Sequence, residues 1–185
     1  MKERIEVCLS GAGGQGLILA GIILAEAAGI YEGKEVVQTQ SYGPEARGGA
    51  SRSEVVISEG FIDYPKVTKS DILLVLTQDA CDKYISKLSQ DGILIADSST
   101  VKDVPALSAK TYRAPISKIA QEKLGNKLVI NTISLGIIAG LTHLVSLESL
   151  RQAVLNRIRP RVREINEKAL LLGYEIAQKM KLEKN

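Results

Sequence analysis

Tryptophan is absent from this 185-residue chain, which also has a single phenylalanine, a single histidine and two cysteines. With aromatics at 4%, there are few flat rings on which nucleic-acid bases could stack. Lysine and arginine number 24 against 21 aspartate and glutamate, a net charge of only +3. No nucleic-acid partner is expected. Cys8 and Cys81 lie far apart and form no Cys-x-x-Cys pair, so neither a disulfide framework nor a zinc site is expected. An iron–sulfur cluster normally takes four thiolates, more than this chain has. Cys8 sits in Ile5-Glu6-Val7-Cys8-Leu9 and is expected to be buried as a small hydrophobe.

A long uninterrupted apolar run is missing as well. The nearest approach, Leu128 to Val145, carries Asn131, Thr132, Ser134, Thr142 and His143, and reads as a buried helix. The opening MKERIEVCLSGAGGQG lacks the apolar core of a secretory signal, so a cytoplasmic location without a membrane partner is expected. His143, in that apolar stretch, is expected to be structural. Ser51 and Ser53 have no histidine near them in sequence, and no Gly-x-Ser-x-Gly elbow is present. Asp71 and Asp97 flank apolar strands and read as caps. No catalytic residue and no metal ligand are assigned.

What remains is an ordinary globular composition, 45% hydrophobic and 24% charged, at a length suited to one domain over residues 1–185. Short β-rich runs alternate with helical patterns, the mark of an α/β fold with a mainly parallel, or mixed, sheet. Strands are expected at Ile5–Ser10, Glu35–Gln40, Arg52–Ser58, Ile72–Thr77, Gly92–Ala96 and Thr111–Ala114. Helices are expected at Gln15–Ala28, with Gly29 ending the first, at Asp79–Leu88 and at Ser117–Leu124. From about residue 128 the chain turns helical, with Val129–Val145, Leu147–Arg159 (Ser146 as its N-cap) and Arg161–Lys181.

Two stretches carry chemistry. Gly11-Ala12-Gly13-Gly14-Gln15-Gly16 follows a strand and opens a helix, the context in which glycines let a phosphate approach helix N–H groups. The acid that would hold a nucleotide ribose is missing, since the second strand ends Val36-Val37-Gln38-Thr39-Gln40. Dinucleotide binding, plain strand-to-helix packing and an anion shared with another subunit all stay open on these residues. The second stretch, Ser41-Tyr42-Gly43-Pro44-Glu45-Ala46-Arg47-Gly48-Gly49-Ala50-Ser51-Arg52, sets two guanidinium forks among backbone-shaping residues at the carboxyl side of the sheet. Its alternative is a surface turn whose charges pair with Glu45 and Glu54.

Together these motifs, with Ile62-Asp63-Tyr64-Pro65, the strand starting at Asp71, Asn131, and Asn166-Glu167-Lys168-Ala169 to Gly173-Tyr174-Glu175, resemble the gamma subunit of the pyruvate and 2-oxoglutarate:ferredoxin oxidoreductases. The resemblance spans nearly the whole chain, and the loop wording looks closest to the 2-oxoglutarate members. It implies a three-layer Rossmann-like α/β/α fold and a place in a multi-subunit, thiamine diphosphate-dependent enzyme. That enzyme converts a 2-oxoacid, coenzyme A and oxidised ferredoxin into acyl-coenzyme A, carbon dioxide and reduced ferredoxin. Alpha, beta and delta-type partner subunits would hold thiamine diphosphate, magnesium and iron–sulfur clusters. The isolated chain would be inactive, without a cofactor of its own, and open to homodimer formation. The anion-binding set expected here is Gly11, Gly13, Gly14, Gln15, Gly16, Tyr42, Arg47, Gly48, Gly49, Arg52 and Asn131. A free-standing nucleotide-binding oxidoreductase is the competing reading.

Overall fold

The computed structural model describes residues 3–41 and 50–183. Six strands, β1 (Arg4–Ala12), β2 (Glu35–Ser41), β3 (Ala50–Ser58), β4 (Ser70–Val75), β5 (Leu88–Asp97) and β6 (Lys110–Ala114), form one sheet in the order β2-β3-β1-β4-β5-β6. β1, β4, β5 and β6 run parallel, whereas β3 is antiparallel to both β1 and β2. The sheet is therefore mixed. Only eight residues, 42–49, join β2 to β3, and a parallel crossover needs a dozen or more, so the pair closes as an antiparallel hairpin.

The helices are α1 (Leu17–Glu26), α2 (Gln78–Tyr84), α3 (Ile116–Leu124), α4 (Ile130–Thr142), α5 (Leu147–Arg157) and α6 (Arg163–Leu182). Strand periodicity divides them between two faces. Val7, Leu9, Val55, Ile57, Ile72 and Leu74 point into the larger core with α1, α3, α4, α5 and α6. Cys8, Leu73, Val75, Leu94 and Ala96 point the other way, against Ala80, Cys81 and Tyr84 of α2. Cys8 is buried as its apolar neighbours imply, and burial, with the nearby Glu54 carboxylate, pushes its thiol up to about 12.

Among the boundaries that depart from expectation, three have a visible cause. Gly29 does not end the first helix: α1 passes at Glu26 into a π-helical turn, Ala27–Tyr31, because Ala27 and Ala28 are fully buried and keep the chain coiled past the glycine. α2 stops at Tyr84, relaxing into a 3-10 turn (Ile85–Lys87). β5 starts at Leu88 rather than Gly92, since Leu88 already pairs with Ser70 across an irregularity in β4. Ser146 does cap α5, its Oγ accepting the Ser149 N–H at 3.0 Å.

The core turns on α4, in which every residue from Ile130 to Leu141 is buried. A helix so enclosed must meet its neighbours at backbone distance, and glycine makes that approach at α6. A Cβ on Gly173 would strike the Ile133 carbonyl, and one on Gly136 would lie 2.9 Å from the Tyr174 nitrogen. The obstacle is backbone in both cases. Gly173→Ala should lower stability by about 1–3 kcal/mol, the ordinary range for overpacking. Gly13→Ala, with nothing within 4 Å of the new carbon, should leave the urea midpoint nearly unchanged.

A second tie fastens the π-helical turn to α5. The Glu32 carboxylate accepts the Ser146 N–H at 2.6 Å and pairs with Lys34 at 3.1 Å, and Lys34 donates to the Leu144 carbonyl at 3.0 Å. Burial acts to raise the Glu32 pKa, but the Ser146 N–H, Lys34 and Ser149 outweigh it and hold the group below its ordinary 4.5. A depressed carboxylate contributes stability above the ordinary value and loses it as the pH falls through the folded one. Glu32→Gln should therefore be less stable than the parent at pH 7, and the gap should close as urea titrations are taken below pH 4.5.

Candidate functional site

β1 ends at Ala12, and the glycines turn the chain into α1, with Gly16 as N-cap at φ 72° and ψ 22°. That left-handed conformation favours glycine. A Cβ at Gly16 would also stand 2.7 Å from Asn131 Nδ2, so the position excludes side chains on two counts. Gln15 folds back, its Oε1 accepting the Ala12 N–H at 2.7 Å, which closes the turn on itself. Asn131 then pins the turn from below, Nδ2 donating to the Gly16 carbonyl at 3.2 Å.

Asn131 is the first member of a buried polar line. Its Oδ1 accepts the Thr132 N–H at 2.9 Å, and Thr132 Oγ1 donates to Asn166 Oδ1 at 2.7 Å. Asn166 Nδ2 donates to the Val162 carbonyl at 2.8 Å. This line ties the glycine turn through α4 to the start of α6, and its side chains find partners without water.

Beside the turn lies an open cleft of about 310 Å³, lined by Gly13, Gly14, Gln15, Ser117, Lys127, Leu128 and Ile130. No side chain caps α1 and its first turn holds no acid, so its free N–H groups and positive dipole end favour an anion there. Asp97, fully buried at the end of β5, holds Ser117 in place by accepting the Ser117 N–H at 2.9 Å and its hydroxyl. Asp97 is thus the cap its position at a strand end implied. Lys127 is exposed on the rim.

The structure brings together only part of the expected set. Gly13, Gly14, Gln15 and Gly16 shape the cleft or its floor, and Gly11 sits behind it against Leu76 and Leu17. Asn131 supports the glycine turn, not the arginine loop. Arg52 lies on the opposite face of the sheet, paired with Glu54 at 3.3 Å and 5.4 Å from the Tyr84 ring centroid. It forms the Glu54 pair of the bland reading, although its Nε is buried without a hydrogen-bond partner among the described residues. Tyr42, Arg47, Gly48 and Gly49 lie outside the described residues. The ends of that loop are placed by register: Ser41 opposes Arg52, and Ala50 opposes Ala12, beside the glycine turn. His143 is not within the apolar helix; it ends α4 in the left-handed conformation, exposed, with Nε2 accepting from Lys181 at 2.9 Å.

Ser117, Lys127 and Leu128 were not legible as cleft residues. They follow β6 and α3, and only the crossover connections carry them to the end of β1. A weak signal existed, since Gly125-Asn126 marks a turn just ahead of Lys127.

A family model described as pyruvate ferredoxin/flavodoxin oxidoreductase matches residues 6–176. The chain is 47% identical over 182 residues to the 2-oxoglutarate synthase subunit KorC of Methanocaldococcus jannaschii, covering 97% of each. Its fold superposes on the gamma subunit of keto/oxoacid ferredoxin oxidoreductase from Geobacter sulfurreducens PCA with a TM-score of 0.87 and 48% identity, covering 95% of this chain and 99% of that one. A likeness of fold alone, TM-score 0.87 at 20% identity, links 97% of it to 32% of a chain of the Magnetococcus marinus 2-oxoglutarate:ferredoxin oxidoreductase, described with 2-oxoglutarate, coenzyme A and succinyl-CoA bound. An α/β subunit with an uncapped glycine turn is the class that fold and site define. The chain belongs to the pyruvate ferredoxin/flavodoxin oxidoreductase family, as a subunit of the gamma type.

Gly16→Ala should destabilise the chain by roughly 1–3 kcal/mol, combining a left-handed residue with displacement of Asn131. Urea unfolding checks the size. Substituting alanine at Asn131 as well should recover part of the loss, because the obstructing amide is then gone.

Proposed function

We propose that this chain acts as one domain within a multi-subunit 2-oxoacid:ferredoxin oxidoreductase whose substrate is 2-oxoglutarate. The observation that carries the substrate class is the end-to-end match, 97% of both chains, with a 2-oxoglutarate synthase subunit. In this reading the chain lends binding groups to a site shared with other subunits. Thiamine diphosphate, bound elsewhere in the assembly with magnesium, supplies the carbon–carbon cleavage chemistry. A cluster inside this chain does not fit its residues: Cys8 lies in β1, Cys81 in α2, and both are buried. Iron–sulfur clusters and the contact with ferredoxin are therefore assigned to alpha, beta and delta-type partners.

The role of the glycine turn follows from its chemistry. Free N–H groups, a helix dipole and the Lys127 ammonium surround a cleft that can take a phosphate of coenzyme A or a carboxylate. Arg47, with Tyr42, Gly48 and Gly49, is placed in the same role on the sequence evidence, and Ser41 and Ala50 bring the ends of that loop to the end of the sheet where the cleft opens. Arg52, held by Glu54 on the other face of the sheet, falls outside this role.

Mild affinity purification of the tagged chain from its host tests the assignment. Larger partners, a brown eluate and dye reduction fastest with 2-oxoglutarate are the expected result. A colourless chain arriving alone with a bound nucleotide would sink it. In the purified holoenzyme, Arg47→Ala should raise the KM for coenzyme A or 2-oxoglutarate at least tenfold, since losing one partner of a buried anion costs about 2–5 kcal/mol.

A further inference from the structure

The carboxyl end of α3 and the corner between α5 and α6 carry cations that the fold itself does not use. Lys123 ends α3, Lys127 sits on the turn after it, and Arg159 and Arg161 lie ahead of α6. All four side chains are exposed. None has a carboxylate within ion-pair distance among the described residues, whereas their neighbours are engaged. Arg157 pairs with Glu26, Lys168 with Glu164 at 2.6 Å and Lys118 with Glu122 at 3.9 Å, and Arg163 donates to the Ile158 carbonyl at 3.2 Å.

Three of the four unpaired cations line clefts, and Arg159 stands two positions before Arg161. Lys123 and Arg161 line one cleft of about 340 Å³, together with Leu124, Ile165 and the Glu164–Lys168 pair. Lys127 lines the cleft at the glycine turn. Only three residues separate Lys123 from Lys127, so the two clefts lie near one another. The acids beside them, Glu122 and Glu164, are each committed to a lysine. A strip of unpaired cations thus lies between the α5–α6 corner and the glycine-turn cleft, with its carboxylates taken up by lysines.

We propose that this strip steers a multiply charged phosphate ester, the class to which coenzyme A belongs, along the surface and into the glycine-turn cleft. The inference rests on the anion-binding reading of that cleft, and adds to it a part of the surface outside the cleft. Aligned like charges beside a low-dielectric wall raise the local concentration of a counter-charged ligand and its rate of encounter. Salt shortens their reach to about 8 Å at physiological ionic strength. Steering therefore acts on capture and fades with salt, while contacts inside the cleft act on the bound complex.

The test is the reconstituted holoenzyme carrying Lys123→Gln, Arg159→Gln and Arg161→Gln together. At low ionic strength kcat/KM for coenzyme A should fall roughly three- to tenfold, with kcat and the yield of complex unchanged. The difference should vanish as salt approaches about 0.3 M, and it should be smaller for dephospho-coenzyme A, which carries less charge. Equal kcat/KM at every salt concentration would overturn the proposal. So would loss of assembly, which would mean that the strip meets an acidic face of a partner protein. Lys127→Glu separates the two layers of argument. If it raises the KM for coenzyme A while the triple variant is silent, the cleft reading stands and steering falls. If it too is silent, the cleft reading itself fails.

Discussion

Everything in this molecule is arranged around a helix with no exposed side. From Ile130 to Leu141, α4 is enclosed by the sheet and by its helical neighbours, and its contact with α6 is made at backbone distance through Gly136, Gly140 and Gly173. Packing that close leaves little freedom to slide, because interiors at crystal-like density resist even one added methyl group. The first turn of α4 is thereby held in register with the end of β1, which sets Asn131 beneath the glycine turn. The cleft beside that turn is a consequence of core packing as much as of its own glycines.

Polar groups carry that order outward. Asn131, Thr132 and Asn166 are buried and satisfy one another in sequence, so the turn at Gly16 and the start of α6 at Val162 share one hydrogen-bonded line. A partly satisfied network would cost more than an apolar core. This one keeps a loop of four consecutive non-helical residues from drifting, and so fixes the wall of the cleft that Gly13, Gly14 and Gln15 line. Asp97 does the same for the opposite wall, anchoring Ser117 at the start of α3.

The two sides of the sheet differ in kind. Five helices cover one, whereas α2 and the segment after β5 cover only part of the other. On that sparser side Glu54, Arg52, Thr39 and Tyr84 form a half-buried charged group instead of a continuous apolar layer.

The sequence by itself determined most of the elements, since strand alternation and helical periodicity are local properties of residues a few positions apart. The six strands, the Ser146 cap, the burial of Cys8 and the glycine turn are all of this kind. It also carried the family, through the order of motifs from Gly11 to Glu175. The antiparallel direction of β3 was not read from the sequence, because the eight-residue connection that requires it emerges only from where the strands end. Tertiary structure alone decided the rest. Gly29 could not end its helix because distant residues bury Ala27 and Ala28, and Arg52 faced away from the cleft because strand parity put it opposite Ser10 and beside Glu54. Ser117, Lys127 and Leu128 joined Gly13 and Gly14 only because parallel crossovers return the chain to the same end of the sheet. A cleft formed by residues more than a hundred positions apart is a property of long-range packing, which no local pattern encodes.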